Sequence, residues 1–324
     1  MSDHRTAKGK TLAIVVPVFN EAANVSLLAE RIERSLAGID ETWSILFVDD
    51  GSSDDTVGQL RKLAETNRRV GAIVLSRNFG KEAAMAAGLR PARGDAVVVM
   101  DADLQHPPEV IPKFLESWRA GSELVHGLRQ GRVGESLPRS RLSKFFYRLF
   151  ARVSDLRIPK EATDFVLLDR KAVDAMNTLG ERTRFTKGLI SWIGFRTSFV
   201  PFAVEARNQG RTRWNMIKLA TYAIDAFSSF SSLPLKVWSY LGLAVSAGAI
   251  GYAVYFAIQT MVFGIEVPGF PSLIVSIMFF AGVQLISLGV LGEYVARLFQ
   301  EVKQRPLYLV TERIREGEPA DVER

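Results

Sequence analysis

The stretch Ala96-Val-Val-Val-Met100, followed at once by Asp101-Ala-Asp-Leu-Gln-His-Pro-Pro-Glu109, decides the fold. A short continuous apolar run is the pattern of a strand buried on both faces of a parallel sheet, and ligands of such sheets bind at the carboxyl ends of the strands. Asp101 and Asp103 are therefore delivered to the mouth of a crevice. Two carboxylates at i and i+2 on a turning chain can bring oxygen ligands to a hard divalent ion, which can neutralise a diphosphate leaving group. Taken alone, the pair equally well ends a strand or caps a helix begun by Pro107 and Pro108.

Working outward, apolar runs at Leu12 to Val18, Ile45 to Val48, Ala72 to Leu75 and Leu124 to Val125 are likewise each followed by a helical pattern. Glu21 to Leu36 places Val25, Leu28, Ile32 and Leu36 on one face, and Asp54 to Ala64 follows the capping residues Ser52 and Ser53. This alternation predicts an α/β, Rossmann-like domain over residues 11–210, with a mainly parallel sheet and helices on both faces, after an N-terminal tail of residues 1–10. Three polar loops then stand just after strands: Pro17-Val-Phe-Asn-Glu21, Asp49 to Asp54, and Asp101 to Pro108. A carboxylate in the second can accept hydrogen bonds from a nucleobase or ribose, while Gly51 lets the chain turn tightly. Asn20 by itself reads as a cap of the next helix, and its value lies in the convergence of the three loops on one crevice.

The 324 residues carry no cysteine, which excludes disulfides, Cys-ligated zinc and thiol catalysis. The formal charge of +6 suits nucleic acid or an anionic membrane surface. Hydropathy favours the membrane and argues against a nucleic-acid partner. From Val237 to Gly292 the only charged residue is Glu266, and each flanking apolar run exceeds the roughly 20 residues that cross a bilayer. The expectation is a transmembrane hairpin: spans at 235–264 and 271–298, a turn at 265–270 and a tail at 299–324, charged and mobile after Pro306. Lys218 and Lys236 precede the first span, Arg297, Lys303 and Arg305 follow the second, and the turn has neither Lys nor Arg. Both termini and the large N-terminal domain should then face the cytoplasm, and MSDHRTAKGK offers no apolar core for a secretory signal. Arg129 to Arg152 holds seven basic residues against one acid, with Leu142, Phe145, Phe146, Leu149 and Phe150 at helical spacing. That segment and residues 211–234 read as amphipathic helices lying on the bilayer surface.

The segments VPVFNE, VDDGSSDD and DADLQHPPE, in this order, resemble the family 2 glycosyltransferases of GT-A fold. With ATDFVLLDR at 162–170, RFTKGLISWIGF at 184–195 and the C-terminal hairpin, the likeness narrows to the polyprenyl-phosphate glycosyltransferases, bactoprenol glucosyltransferase branch, over about residues 10–305. The resemblance implies inverting transfer of one sugar, UDP-glucose being the favoured donor, to undecaprenyl phosphate at the cytoplasmic face of the membrane, with Mg²⁺ or Mn²⁺. It implies nucleoside binding by Pro17, Asn20, Glu21, Asp49 and Asp50, with Asp101 beside the ribose and diphosphate. Asp103, Gln105 and Asp101 would hold the metal, Arg213 would join the donor site, and Arg129, Arg139, Ser143 and Arg207 would receive the lipid phosphate. Asp164 takes the place the family marks as catalytic base. A lipid phosphate is already largely ionised near neutral pH, so orienting the acceptor is the alternative role. A homotetramer is expected by the same likeness.

Two departures stand out: Gln105-His106 where many relatives have Gln-Asp, and Gly210-Arg-Thr-Arg-Trp214 where relatives carry an acid at the second position. The second adds positive charge near the donor and leaves a GDP-mannose or modified-sugar enzyme as alternatives. A processive synthase is disfavoured by two spans and the lack of a Gln-x-x-Arg-Trp element. A membrane-tethered nucleotide-sugar sensor is the reading from another class.

Overall fold

The computed structural model describes residues 9–130, 162–182, 184–203, 233–263 and 269–315. Two compact units emerge, Met1–Ala220 with Arg305–Arg324, and Thr221–Gln304.

In the first unit the order is β1 (Thr11–Val18), α1 (Val25–Ser35), β2 (Thr42–Asp49), α2 (Thr56–Thr66), β3 (Val70–Leu75), α3 (Lys81–Leu89), β4 (Ala96–Val99), a 3₁₀ turn (Pro108–Val110) and α4 (Ile111–Arg119). It continues through β5 (Leu124–Gln130), β6 (Ala162–Asp169), α5 (Arg170–Thr178), α6 (Thr186–Trp192) and β7 (Thr197–Ala203), and closes with β8 (Val310–Ile314). One eight-stranded sheet runs β7-β5-β6-β4-β1-β2-β3-β8. Pairing is parallel for β1 with β2 and β4, β2 with β3, and β5 with β7, and antiparallel where β6 and β8 join. The mainly parallel sheet read from the apolar runs is thus present, with two antiparallel insertions.

The central strands are apolar on both faces because helices cover both. All of β3 and β4 is buried. On α1 the buried residues are Val25, Leu28, Ala29 and Ile32, and on α4 they are Ile111, Phe114, Leu115 and Trp118. Trp118 meets its polar obligation inside this core by donating from Nε1 to Asp169 at 2.8 Å, while the other carboxylate oxygen of Asp169 caps α5 at the Lys171 amide. The insertion of β6 positions chemistry. Its antiparallel register sets Val166 opposite Val99, so that Asp164, two residues before Val166, and Asp101, two residues after Val99, stand at the same end of the sheet.

The segment after Pro306 corrects the expectation of a mobile tail. Val310–Ile314 pairs antiparallel with β3, and the Ser76 amide donates to Leu309 at 2.9 Å. Arg61 adds two hydrogen bonds to Glu312, at 3.1 and 2.6 Å, but this ion pair is exposed and contributes little by itself. The backbone pairing matters more, because an uncovered β3 would present a row of unpaired amides and carbonyls to other chains. Removing residues 305–324 is expected to lower the thermal midpoint and promote self-association, measured by melting and light scattering beside the full chain.

The second unit consists of α7 (Leu233–Phe263) and α8 (Phe270–Val302). Large apolar side chains on both helices are exposed, among them Tyr240, Leu243, Met261, Phe263, Leu273, Leu285 and Leu298. Among the described residues one stretch, Phe279–Val302, is long and apolar enough to cross a membrane by length and composition. α7 begins two residues before the expected start of the first span and reaches Phe263, and α8 runs four residues beyond the expected end of the second, from 298 to Val302.

Candidate active site

Loops one and two are bonded to each other. Asn20, at φ +56°, donates its amide to Ser52 Oγ at 2.8 Å and accepts the Ser53 amide at its side-chain oxygen, also at 2.8 Å. It therefore does not cap the following helix; the residue before α1 is Asn24, whose side-chain amide donates to Glu21 at 2.6 Å. Ser52 and Ser53 do not cap α2 either. Asp54 does that work, accepting the Thr56 amide at 3.0 Å, and its second oxygen accepts the Ala22 amide at 3.4 Å. The Glu21 amide completes the seam on Thr56 Oγ1 at 2.9 Å.

Asp49 and Asp50 divide their tasks by direction. Asp50 accepts the amides of Phe79 and Gly80 at 2.7 and 2.9 Å, so it pins the entry to α3. Burial raises its pKa, and those two amides oppose the rise. Asp49 is fully buried; Oδ2 accepts the Ser52 amide at 3.0 Å, whereas Oδ1 has no hydrogen-bond partner among the described residues. A buried carboxylate oxygen without a donor is costly, and a ligand N–H or O–H would relieve it.

The turn after β4 is held in an unusual conformation. Leu104 is buried and sits at φ +63°, a region bulky residues rarely adopt. The Gln105 amide donates to Asp103 Oδ1 at 3.1 Å, and the Asp101 amide donates to His106 Nδ1 at 3.1 Å. His106 stacks on Phe165 at 5.2 Å and meets Phe202 edge-on at 5.9 Å. Burial lowers its pKa although Asp101 pulls the other way, and accepting an amide at Nδ1 requires the uncharged ring. His106 is thus a wedge that shapes the Asp101 turn.

The centre of the site is a chain of alternating charges. Lys81 Nζ pairs with Asp101 Oδ1 and also donates to Asp164 Oδ2 at 2.6 Å, while Lys187 Nζ lies 3.4 Å from the other Asp164 oxygen. Burial on its own would raise the Asp164 pKa; Lys187 and Lys81 outweigh it and hold the carboxyl well below the usual carboxylate range. The same reasoning applies to Lys81, where Asp101 and Asp164 overcome burial and keep the ammonium charged. Glu82 secures the second lysine's helix by accepting the Thr186 amide at 2.9 Å. A small cavity next to Asp164 is lined by His126, Thr163, Thr186 and Lys187 together with apolar side chains including Met85 and Ile190. Burial and then Lys187 push His126 down to about 4, so its ring is neutral at pH 7.

Comparison with known proteins follows the same segments. The glycosyl transferase family 2 model matches residues 13–176. The SfII prophage-derived bactoprenol glucosyl transferase of Shigella flexneri is 40% identical over 299 residues, covering 92% of this chain and 97% of that protein. The chain belongs to glycosyltransferase family 2. An uncharacterised glycosyltransferase of Synechocystis is 47% identical over 301 residues, covering 93% of this chain and 95% of that one. Among solved structures, the glucosyl-3-phosphoglycerate synthase of Mycobacterium tuberculosis, in complex with Mn²⁺, UDP-glucose and phosphoglyceric acid, is 20% identical with a TM-score of 0.47, over 68% of this chain and 78% of that chain.

This family 2 glycosyltransferase has a GT-A-type fold, and its sheet brings Asp101, Asp103, Gln105 and Asp164 to one end, with Asn20, Glu21, Asp49 and Asp50 in the two bonded loops next along the sheet. Pro17 lies inside β1, paired in register with Val48. Arg129 is exposed near the carboxyl end of β5. Arg139, Ser143, Arg207, Arg213 and the two amphipathic segments lie outside the described residues. Among the described residues no three His, Asp or Glu side chains group into a metal cage. That is compatible with a hard ion held by one or two carboxylates and completed by substrate phosphates, and the oxygen donors Asp101, Asp103 and Gln105 suit such an ion. Lys81 and Lys187 were not foreseen as site residues. A signal existed: both stand in the first turn of a helix, where the dipole disfavours a cation unless a carboxylate compensates it.

Proposed function

We propose that this glycosyltransferase moves a single glucose from UDP-glucose to the phosphate of a polyprenyl lipid, undecaprenyl phosphate, with inversion at the anomeric carbon. The observation that carries the reading is the ion-paired Asp101–Lys81–Asp164–Lys187 chain at the carboxyl end of β4, in a protein similar over nearly its whole length to a bactoprenol glucosyl transferase. The exposed apolar helices α7 and α8 suit the same reading, as two spans of the cytoplasmic membrane with the catalytic domain and both termini in the cytoplasm. A polyprenyl tail leaves the bilayer at a cost of roughly 0.8 kcal/mol per methylene, so the site has to come to the headgroups. A homotetramer is part of the proposal on the family likeness alone.

In the reaction, a phosphate oxygen of the lipid attacks the anomeric carbon, the bond to the β-phosphate of UDP breaks, and UDP leaves as an anion. Pro17, Asn20, Glu21 and Asp49 hold the nucleoside, with the unpartnered Asp49 oxygen receiving a donor group. Asp50 acts one step back, through the α3 entry. Asp103, Asp101 and Gln105 would hold Mg²⁺ or Mn²⁺, which would supply charge neutralisation to the diphosphate. Arg213 would join the donor phosphates. Arg129, Arg139, Ser143 and Arg207 would receive the acceptor phosphate, for which guanidinium forks are suited. Asp164 keeps its charge and orients the acceptor side, since its acceptor brings an ionised oxygen.

Purified protein incubated with undecaprenyl phosphate and a panel of UDP- and GDP-sugars is expected to yield glucosyl lipid from UDP-glucose, identified by mass. Chelation should abolish the product, and Mg²⁺ or Mn²⁺ should restore it. Nucleotide-sugar binding by calorimetry with no turnover from any donor would instead indicate a sensor.

A further inference from the structure

We propose that Lys81 is a positioning residue for transfer, fastening donor-side Asp101 to acceptor-side Asp164 so that the two carboxylates are set as one unit. This rests on the reading above for the names of the two sides. The geometry stands apart from it: one ammonium pairs with both carboxylates, and those carboxylates come from different strands, after β4 and within β6.

The surroundings show that the bridge is built. Lys81 is the first residue of α3, and the preceding Gly80 has φ +98°. Asp50, on the far side of β1 from β4, grips the Phe79 and Gly80 amides and thereby fixes where that helix begins. Further along α3, Gly88 lets the helix lie against the sheet; a Cβ there would stand 2.3 Å from Val15 Cγ1 and 2.9 Å from Val48 Cγ2. From the opposite side, Glu82 binds Thr186 and so sets Lys187 against the second oxygen of Asp164. The loop after β2 is in this way coupled to the acceptor-side carboxylate through a single helix.

The charge count assigns a role to the pairing. Two ammoniums balance two carboxylates, so the ionised Asp164 sits in a four-residue cluster without net charge. Removing Lys81 leaves two anions facing each other, and Asp164 retains only Lys187. The two carboxylates are only about a quarter exposed, so solvent compensates the loss of Lys81 incompletely.

The test uses the full chain in lipid nanodiscs, with Lys81→Met, Lys81→Arg, Asp164→Asn and the double variant Lys81→Met/Asp164→Asn. Lys81→Met is expected to lower kcat by about a hundredfold or more while UDP affinity with Mn²⁺, read by calorimetry, changes by less than about fivefold. Lys81→Arg, which preserves the cation, should recover at least about tenfold of that loss. In the double variant the losses should not multiply, and its melting midpoint should be no lower than that of the worse single variant. A Lys81→Met kcat within about threefold of wild type, or multiplying losses, overturns the proposal. If wild type binds UDP-glucose but glucosylates no lipid phosphate, the functional reading fails instead, and the melting cycle alone decides: additive lowering overturns the bridge, and non-additive lowering upholds it.

Discussion

Asp164→Asn is expected to reduce kcat by about a hundredfold or more, with UDP-glucose affinity nearly unchanged. The carboxylate faces two ammoniums, Lys81 at 2.6 Å and Lys187 at 3.4 Å, and an amide of the same shape neutralises the one charge that holds both. Lys81 is 40% and Asp164 24% exposed, so solvent screens the cluster and its disruption costs less than the about 3–5 kcal/mol of a fully buried pair; a hundredfold loss corresponds to about 2.7 kcal/mol. The donor loops around Asn20 and Asp49 are held by hydrogen bonds among themselves, which is why binding should survive. The same electrostatics separates an orienting carboxylate from a base. With its folded pKa below the unfolded value of about 3.9, Asp164 contributes stability fully above that value and loses it only as pH falls towards the folded pKa. A base titrating in the neutral range would give kcat an acid limb there, and Asp164 is expected to give none. Steady-state kinetics across pH, paired with calorimetry of UDP-glucose, checks both statements; a variant with unchanged turnover would remove Asp164 from the site.

The strands that were legible are the ones whose burial leaves no choice of residue. β1, β2, β3 and β4 lie inside the sheet, so their sequences are nearly unbroken apolar runs, and the loops after them follow from polarity. β8 was illegible for the converse reason. As an edge strand it alternates half-buried and exposed residues, and its Glu312 and Arg313 read as a solvated tail, although charge on an edge is how a sheet avoids further pairing. Asp164 was found through its motif, but its place beside Asp101 depends on β6 entering antiparallel, which no local pattern announces. Asn20 misled for a related reason: its left-handed backbone turns the side chain away from α1 and towards Ser53, a contact 33 residues distant in sequence. Lys81 and Lys187 illustrate the useful kind of conflict. A cation at a helix start opposes the dipole, and such local disagreements gather where function demands them.

Gly51→Ala is expected to be among the most damaging single changes away from the charged centre. Gly51 adopts φ +69°, and a Cβ there would stand 2.3 Å from the Arg77 carbonyl carbon and 2.6 Å from the Asn78 amide nitrogen. Both obstacles are backbone, so no side-chain rotation relieves them. The loop would have to separate from residues 77–80, yet its neighbour Asp50 is tied to the Phe79 and Gly80 amides at 2.7 and 2.9 Å. Overpacking typically costs about 1–3 kcal/mol, and loss of two hydrogen bonds to a charged acceptor adds about 1.5–3 kcal/mol each if they break outright. A destabilisation of at least about 3 kcal/mol is therefore expected, read as a lowered thermal midpoint. The damage should reach beyond stability. Shifting residues 77–80 displaces the start of α3, and with it Lys81, while Ser52 loses its alignment with Asn20 on the donor side. Gly51→Ala should consequently weaken UDP binding and transfer together, unlike Asp164→Asn, which should impair transfer alone. Calorimetry at a temperature well below the variant's midpoint distinguishes the two patterns. Wild-type UDP affinity in a folded Gly51→Ala protein would show that the two loops are not coupled through this contact.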